Sequence, residues 1–315
     1  MLAPMEGVTD HPMREILTGL GGYNRCVTEF LRVTDHEYPT RVFTRICPEL
    51  ETGGVTRSGT PVYVQLLGSH AIALATNARK AVALGAPGID LNFGCPAKTV
   101  NRHGGGSALL RSPEIVEHIV CRVRDAVPAA VPVTAKMRLG FDSSEHLHDI
   151  AQRIERAGAD ELCIHARTRT DGYRPPAYWQ QVYAVQQSLS IPVIINGEIW
   201  TTGDSCKARD ESGCADIMLG RGALARPLLA KQITLQAAQQ EPSQLPWGEV
   251  LVLLKILLDG AVDLPAKYAG NRTKQWLTYL KLGYPAAGVL FERIKRMRPV
   301  DEIGRALDAA LDEAA

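Results

Sequence analysis

The sequence predicts a (β/α)8 TIM barrel of the α/β class followed by an all-helical domain. Eight short β-branched or apolar runs recur along the first 220 residues, and the segments between most of them have helical spacing. After residue 230 the strand signals stop and only helical periodicity continues. The turn after the first run, Met5-Glu6-Gly7-Val8, is not the GxGxxG that an open doubly wound sheet would usually declare.

In chain order, strands are expected at 2–5, 26–30, 61–67, 88–92, 133–138, 161–165, 192–196 and 216–220. Helices are expected at 71–84, 113–127, 145–157 and 201–212. Two of them open on start signals, Ser112-Pro113-Glu114 and Thr202 near Asp204. The polar, proline-bearing stretch 239–246 reads as a linker, dividing a barrel of residues 1–240 from a helical domain of residues 246–315. Within the latter, helices are expected at 247–262, 272–282, 285–297 and 301–314.

The composition is ordinary for a globular chain: 315 residues, 45% apolar and 22% charged. Collagen-like, coiled-coil and wholly disordered readings are thereby excluded. Lys+Arg 35 against Asp+Glu 34 excludes a uniformly basic coat but leaves room for a local basic face. No apolar run approaches the roughly 20 residues of a membrane helix, and the start lacks a signal-peptide pattern. The seven cysteines (26, 47, 95, 121, 163, 206 and 214) are odd in number and form no CxxC pair. A monomeric cytoplasmic protein with reduced thiols is expected, with no metal and no membrane association.

In a barrel the carboxyl ends of the strands form the active site. Those ends read Met5, Glu29, Gln65, Asn92 with Cys95, Lys136 with Arg138, His165, Asn196, and Gly220 with Arg221. The last two strands run into Asn196-Gly197-Glu198 and Gly220-Arg221-Gly222, where glycines let backbone N–H groups approach a phosphate and Arg221 can pair with it. Cys95 sits in Asn92-Phe93-Gly94-Cys95-Pro96, ahead of the flexible Gly104-Gly105-Gly106 loop. Its thiol, ordinarily protonated at neutral pH, can donate a proton. Cys26, Cys121, Cys163, Cys206 and Cys214 are expected to be buried and inert. An interior Lys136 needs an anionic partner, and a flavin would be one. The other histidines, 11, 36, 70, 103, 118, 146 and 148, show no metal-ligand spacing.

Between residues 261 and 300 eight basic residues face two acidic ones, with Tyr268, Trp276, Tyr279 and Tyr284 interleaved. That pattern is expected to mark an RNA-facing surface, joined by Arg167, Arg169 and Arg174 after the sixth strand.

The stretches LAPMEGVTD, VQLLG, DLNFGCP, GGGSALL, KMRLG, HARTRTDGY, NGEI and MLGRGAL resemble the tRNA-dihydrouridine synthases along nearly the whole chain. MLAPMEGVTD, TEFLRV, ICPEL and RTKQWLTYLKLGY look most like the bacterial C-type enzymes, which modify uridine 16 of the D-loop. The resemblance implies a flavoprotein that uses FMN with NADPH to reduce a tRNA uridine to 5,6-dihydrouridine. It implies Cys95 as the catalytic acid and Pro4, Met5 and Glu6 as first FMN contacts. Gln65, Lys136 and His165 would hold the isoalloxazine, and Asn196, Gly197, Glu198, Gly220 and Arg221 the ribityl and phosphate. Arg32, Asn92, Tyr173, Arg272 and Lys274 would touch tRNA. Two positions depart from the family pattern: Tyr178 precedes Trp179 where relatives have Asp, and Ser107 replaces a common alanine. The alternatives are the same chemistry at uridine 17, 20 or 20a, an FMN reductase of free pyrimidines or enones, and a non-catalytic tRNA-binding protein.

Overall fold

The computed structural model describes residues 1–238, 243–260 and 266–314, the side chains of residues 266–269 excepted. The strands are β1 (Cys26–Val27), β2 (Leu31–Arg32), β3 (Val62–Leu67), β4 (Ile89–Phe93), β5 (Val133–Arg138), β6 (Glu161–His165), β7 (Val193–Asn196) and β8 (Asp216–Met218). They pair in parallel in the order β1-β3-β4-β5-β6-β7-β8, with β2 also beside β3. Leu2 bridges Cys26 on one side and Leu219 on the other, so a sheet beginning at β1 and ending past β8 closes into a ring. The chain is therefore a TIM barrel with carboxyl-terminal helices.

Two expected strands are shorter than the apolar runs suggested. The first shrinks to the Leu2 bridge, since Pro4 has no N–H for a ladder. The second is interrupted at Thr28, whose Oγ1 accepts the Gln65 N–H at 3.0 Å in place of a ladder bond. The remaining six lie where the runs lie. All six residues of β3 are buried, as a parallel strand covered on both faces requires.

Helix Thr202–Ser212 begins at the expected Thr202, but its capping residue lies one position earlier. Thr201 is the cap, and Thr201 and Asp204 form a reciprocal capping box. Ser112 precedes helix Pro113–Ala126 but its hydroxyl makes no capping bond, leaving Pro113 and Glu114 to define that end. Residues 239–242 of the expected linker and residues 261–262 of an expected helix lie outside the described residues. Beyond them, helices Trp247–Asp259, Ala266–Leu280, Pro285–Ile294 and Val300–Ala314 pack on one another.

The barrel and these helices share one hydrophobic core. Trp276 is fully buried and donates its Nε1–H to the Leu224 carbonyl at 3.0 Å, and Tyr284 is buried beside Trp247. The aromatic residues expected to interleave an RNA surface thus include two core residues. Helical spacing marks an apolar face without saying what covers it. Cys121 and Cys206, expected to be buried, are exposed on outer helices. No helix among the described residues is long and apolar enough to cross a membrane.

Candidate active site

Parallel register puts the polar strand-end residues side by side. Asn92 is paired with Lys136, Arg138 with His165, and His165 with Asn196. Above them opens a cavity of about 600 Å³ lined by Met5, Gln65, Asn92, Cys95, Lys136, Arg138 and His165, among others. A narrower lobe of about 90 Å³ continues over Asn196, Gly197, Glu198, Gly220 and Arg221. Pro4, Met5, Lys136, His165, Tyr173 and Arg221 border both lobes. Every expected cofactor residue, Glu6 included, therefore borders one continuous cleft with Cys95.

A buried polar relay runs beneath the larger lobe. Thr134 Oγ1 donates to Asp90 Oδ1 at 2.6 Å, and Gln65 Nε2 donates to Asp90 Oδ2 at 2.6 Å. Gln65 Oε1 accepts from Asn92 Nδ2 at 2.8 Å, and Asn92 Oδ1 accepts the N–H groups of Gly94 and Cys95, each at 2.9 Å. The acceptor-only Asp90 carboxylate, 2% exposed, thus fixes which way two successive amides point. Burial raises the Asp90 carboxyl, against its bonds from Gln65 and Thr134. Asn92, expected to touch RNA, lines the larger lobe and shapes the turn that presents Cys95.

The Cys95 carbonyl accepts Asn101 Nδ2 at 2.9 Å, Ser107 Oγ at 2.9 Å and the Ser107 N–H at 3.1 Å. Ser107, at odds with the family pattern, is accommodated by bonds an alanine would only partly make. Burial raises the Cys95 thiol from its ordinary 9.0, so it is protonated at neutral pH.

Across the cleft, Lys136 Nζ donates to Asn196 Oδ1 at 3.0 Å, and Asn196 Nδ2 donates to the Met218 carbonyl at 2.7 Å. Burial lowers the Lys136 ammonium. His165 is pushed well below 6.5, first by burial and then by Arg138, Lys136, Arg167 and Arg221, so its imidazole is neutral. Gly197 has φ 111°, and a Cβ there would lie 2.6 Å from His165 Cδ2. Only glycine lets this turn pass the imidazole. Arg138 donates to the carbonyls of Gly94, Thr168 and Gly172, each at 2.9 Å, tying the cysteine turn to the loop after β6.

Arg167, expected to face RNA, is 0% exposed. It donates to the carbonyls of Arg174 and Pro176 and to the Glu198 carboxylate. Glu198 also accepts Trp200 Nε1 at 2.9 Å and, with its backbone at φ 58°, borders the narrow lobe. Arg221 Nη2 lies 3.9 Å from the same carboxylate, so Lys136, Arg138, Arg167 and Arg221 are opposed among the lining residues by Glu198 and the exposed Glu6. The cleft is built for an anion.

Tyr173 is 54% exposed at the rim, beneath the guanidinium groups of Arg138 and Arg221. Arg169 lies over the Phe141 ring and bonds Asn101, while Arg174 is exposed. Arg32 is exposed and borders a side cleft with His103. Lys274 borders a cleft of about 520 Å³ with Lys295, Arg296 and Arg298 on the helical domain. Arg272 faces the barrel instead, its guanidinium bonded to Asp10 and the carbonyls of Gly7 and Val8. Tyr279 turns into the larger lobe. Lys267 and Tyr268 fall among the side chains not described.

Among the described residues, His11, Glu15 and Glu49 bring possible metal ligands within 4.8 Å. The Arg14 guanidinium already takes both Glu49 oxygens, at 2.8 and 2.7 Å. Asp90, Thr134 and Asn101 escape a reading of strand ends. The signal for Asp90 was its two-residue spacing from Asn92, which puts both on one face of an otherwise apolar strand.

A TIM barrel whose mouth holds a glycine-floored cleft of net cationic lining beside a protonated thiol offers a site suited to an anionic ligand. The dihydrouridine synthase (Dus) family model matches residues 1–285, and the chain belongs to that family. It is 47% identical over 307 residues to the tRNA-dihydrouridine(16) synthase of Aquipseudomonas alcaligenes, covering 97% of this chain and 98% of the relative. It is 46% identical to that of Salmonella typhimurium (strain LT2), with 98% of each chain covered. Among solved structures, the histamine dehydrogenase of Rhizobium sp. 4-9 shares the fold, with TM-score 0.54 and 16% identity over 76% of this chain and 46% of that one.

Proposed function

We propose that this chain reduces uridine 16 in the D-loop of tRNA to 5,6-dihydrouridine, with FMN as its bound cofactor and NADPH as reductant. The observation that carries the reading is the pairing of a protonated Cys95 with an anion-seeking wall of Lys136, Arg138 and Arg221 around one cleft. The residues fit FMN. Gly197, Gly220 and Arg221 would take its phosphate, with the backbone of Glu198. Asn196 would take the ribityl chain, and Pro4, Met5, Gln65, Lys136 and His165 the ring, with Glu6 at its edge.

The chemistry FMN supplies when bound, once reduced by NADPH, is a hydride for C6 of the uracil. Cys95 gives its proton to C5, completing the addition of two hydrogens across the double bond and leaving a thiolate for solvent to reprotonate. Asn92 holds the cysteine turn at the cleft. The Lys136 ammonium, desolvated and one hydrogen bond from Asn196, stabilises negative charge developing on the ligand. The uridine must leave its stack to enter such a cleft, and exposed Tyr173 offers an aromatic rim.

Residues 1–240 are read as the catalytic part and 246–315 as the part that guides tRNA. Lys274, Lys295, Arg296 and Arg298 offer the cluster of cations that phosphates need, with Arg32 on the barrel side. The test is Cys95→Ala. Its FMN content should equal that of the wild type while single-turnover formation of dihydrouridine falls by at least about 100-fold, the range of a lost general acid. Primer-extension mapping on tRNA from a deletion strain should lose the signal at position 16; loss at 17, 20 or 20a instead defeats the positional reading. Turnover of free uridine without tRNA would favour the small-substrate alternative.

A further inference from the structure

Arg272 was expected to meet RNA, yet its guanidinium grips the barrel. Nε donates to Asp10 Oδ2 at 2.8 Å, and the two terminal nitrogens donate to the carbonyls of Gly7 and Val8. The Arg272 side chain is 15% exposed as a result. The other oxygen of Asp10 caps helix His11–Gly19 by accepting the Met13 N–H at 3.2 Å. The half-buried Glu29 carboxylate accepts the Gly7 N–H, and Thr9 Oγ1 accepts the Met5 N–H at 2.7 Å. Gly7 supplies the left-handed turn, at φ 69°, that points its N–H and carbonyl to these two partners.

The loop so held begins at Pro4 and Met5, which border both lobes of the cleft. Two turns further along the same helix as Arg272, about 10 Å by the helical rise, Tyr279 lines the larger lobe with Val8 and Phe30. The helical domain therefore contributes a wall to the cleft and a clamp on its floor.

We propose that Arg272 is a positioning residue of the cofactor site, holding the Met5–Val8 loop in the shape that receives FMN, in addition to whatever the helical domain does for RNA. This rests on the reading of the cleft as an FMN site. A charged fork with three acceptors on one loop loses most of its grip when truncated.

The test titrates FMN into apo protein without RNA, following quenching of flavin fluorescence and the shape of the visible absorption band. Arg272→Ala should weaken FMN binding about tenfold, on the scale of lost charged hydrogen bonds, and shift the bound flavin's band. Arg272→Lys should recover only part, since an ammonium cannot reproduce a planar fork. Asp10→Asn, which keeps a capping oxygen, should weaken FMN less and add little to Arg272→Ala. Should the arginine variants fail to fold, Asp10→Asn decides alone. Wild-type FMN affinity and spectrum in folded Arg272→Ala, or in Asp10→Asn, would overturn the proposal, even if tRNA binding fell. A wild-type protein that takes no FMN would overturn the cofactor reading itself.

Discussion

At the residue scale the site depends on protonation. Burial raises the Cys95 thiol above 9.0, and the proposed reaction needs its acid form. The single-turnover rate should therefore stay level through the neutral range and fall only on the alkaline side of 9.0. His165 is held well below 6.5, so it contributes no limb near neutrality. A rate that halves between pH 7 and 8 would contradict a buried thiol as the acid. The hydrogen bonds to the Cys95 carbonyl make a second prediction. Asn101→Ala removes a donor at 2.9 Å and should slow product formation about tenfold with FMN affinity unchanged, the scale of one or two lost hydrogen bonds. Ser107→Ala should cost less, because the residue 107 N–H still donates. The thiol's place at the cleft was legible in Asn-x-Gly-Cys-Pro. These supporting bonds were not, because they join residues 6 and 12 positions away through the shape of a loop.

At the element scale, helix His11–Gly19 is fastened to the 3-10 turn Pro48–Thr52 by Arg14 and Glu49, both with side chains at most 1% exposed. Burial alone would raise the Glu49 carboxyl, but its hydrogen bonds from His11 and Arg14 outweigh that and hold it at about 2, against an ordinary 4.5. The contribution is thus full above 4.5 and is lost as pH falls toward 2. Arg14→Leu should destabilise the protein by about 3–5 kcal/mol at pH 7, since it leaves a buried carboxylate unpaired. In urea denaturation the gap to wild type should narrow as pH falls below 4.5, and a gap that widens would refute the assignment. The elements themselves were largely readable. Apolar runs gave six strands at their places, while Thr28 and Pro4 shortened two others through local bonds that hydropathy does not register. The basic, aromatic stripe misled where a helix face could equally pack or bind: Trp276 packs, Tyr279 lines the cleft, and half-buried Lys274 donates to the Met297 carbonyl near Arg298.

At the scale of the whole molecule, two long-range facts lay beyond sequence inspection. Arg272 finds its acceptors more than 260 positions earlier, and one hydrophobic core spans both parts of the chain. Ring closure, which the expected barrel required, is made by few bonds. The Leu2 N–H reaches the Arg25 carbonyl at 3.0 Å, the Ala3 N–H that of Leu219 at 2.8 Å and the Leu219 N–H that of Met1 at 2.9 Å, and no longer ladder joins first strand to last among the described residues. That seam is the thinnest stitching in the cylinder, and the residues that follow it directly, Pro4 and Met5, border the cleft. Deuterium uptake at Leu2, Ala3 and Leu219 should accordingly be the fastest of the strand amides in apo protein and should slow when FMN is added. Uniform uptake around the cylinder would show that the seam opens no more readily than the rest. If it does open first, loss of the prosthetic group and parting of the staves are one event, and the flavin acts as the hoop that keeps the cylinder shut.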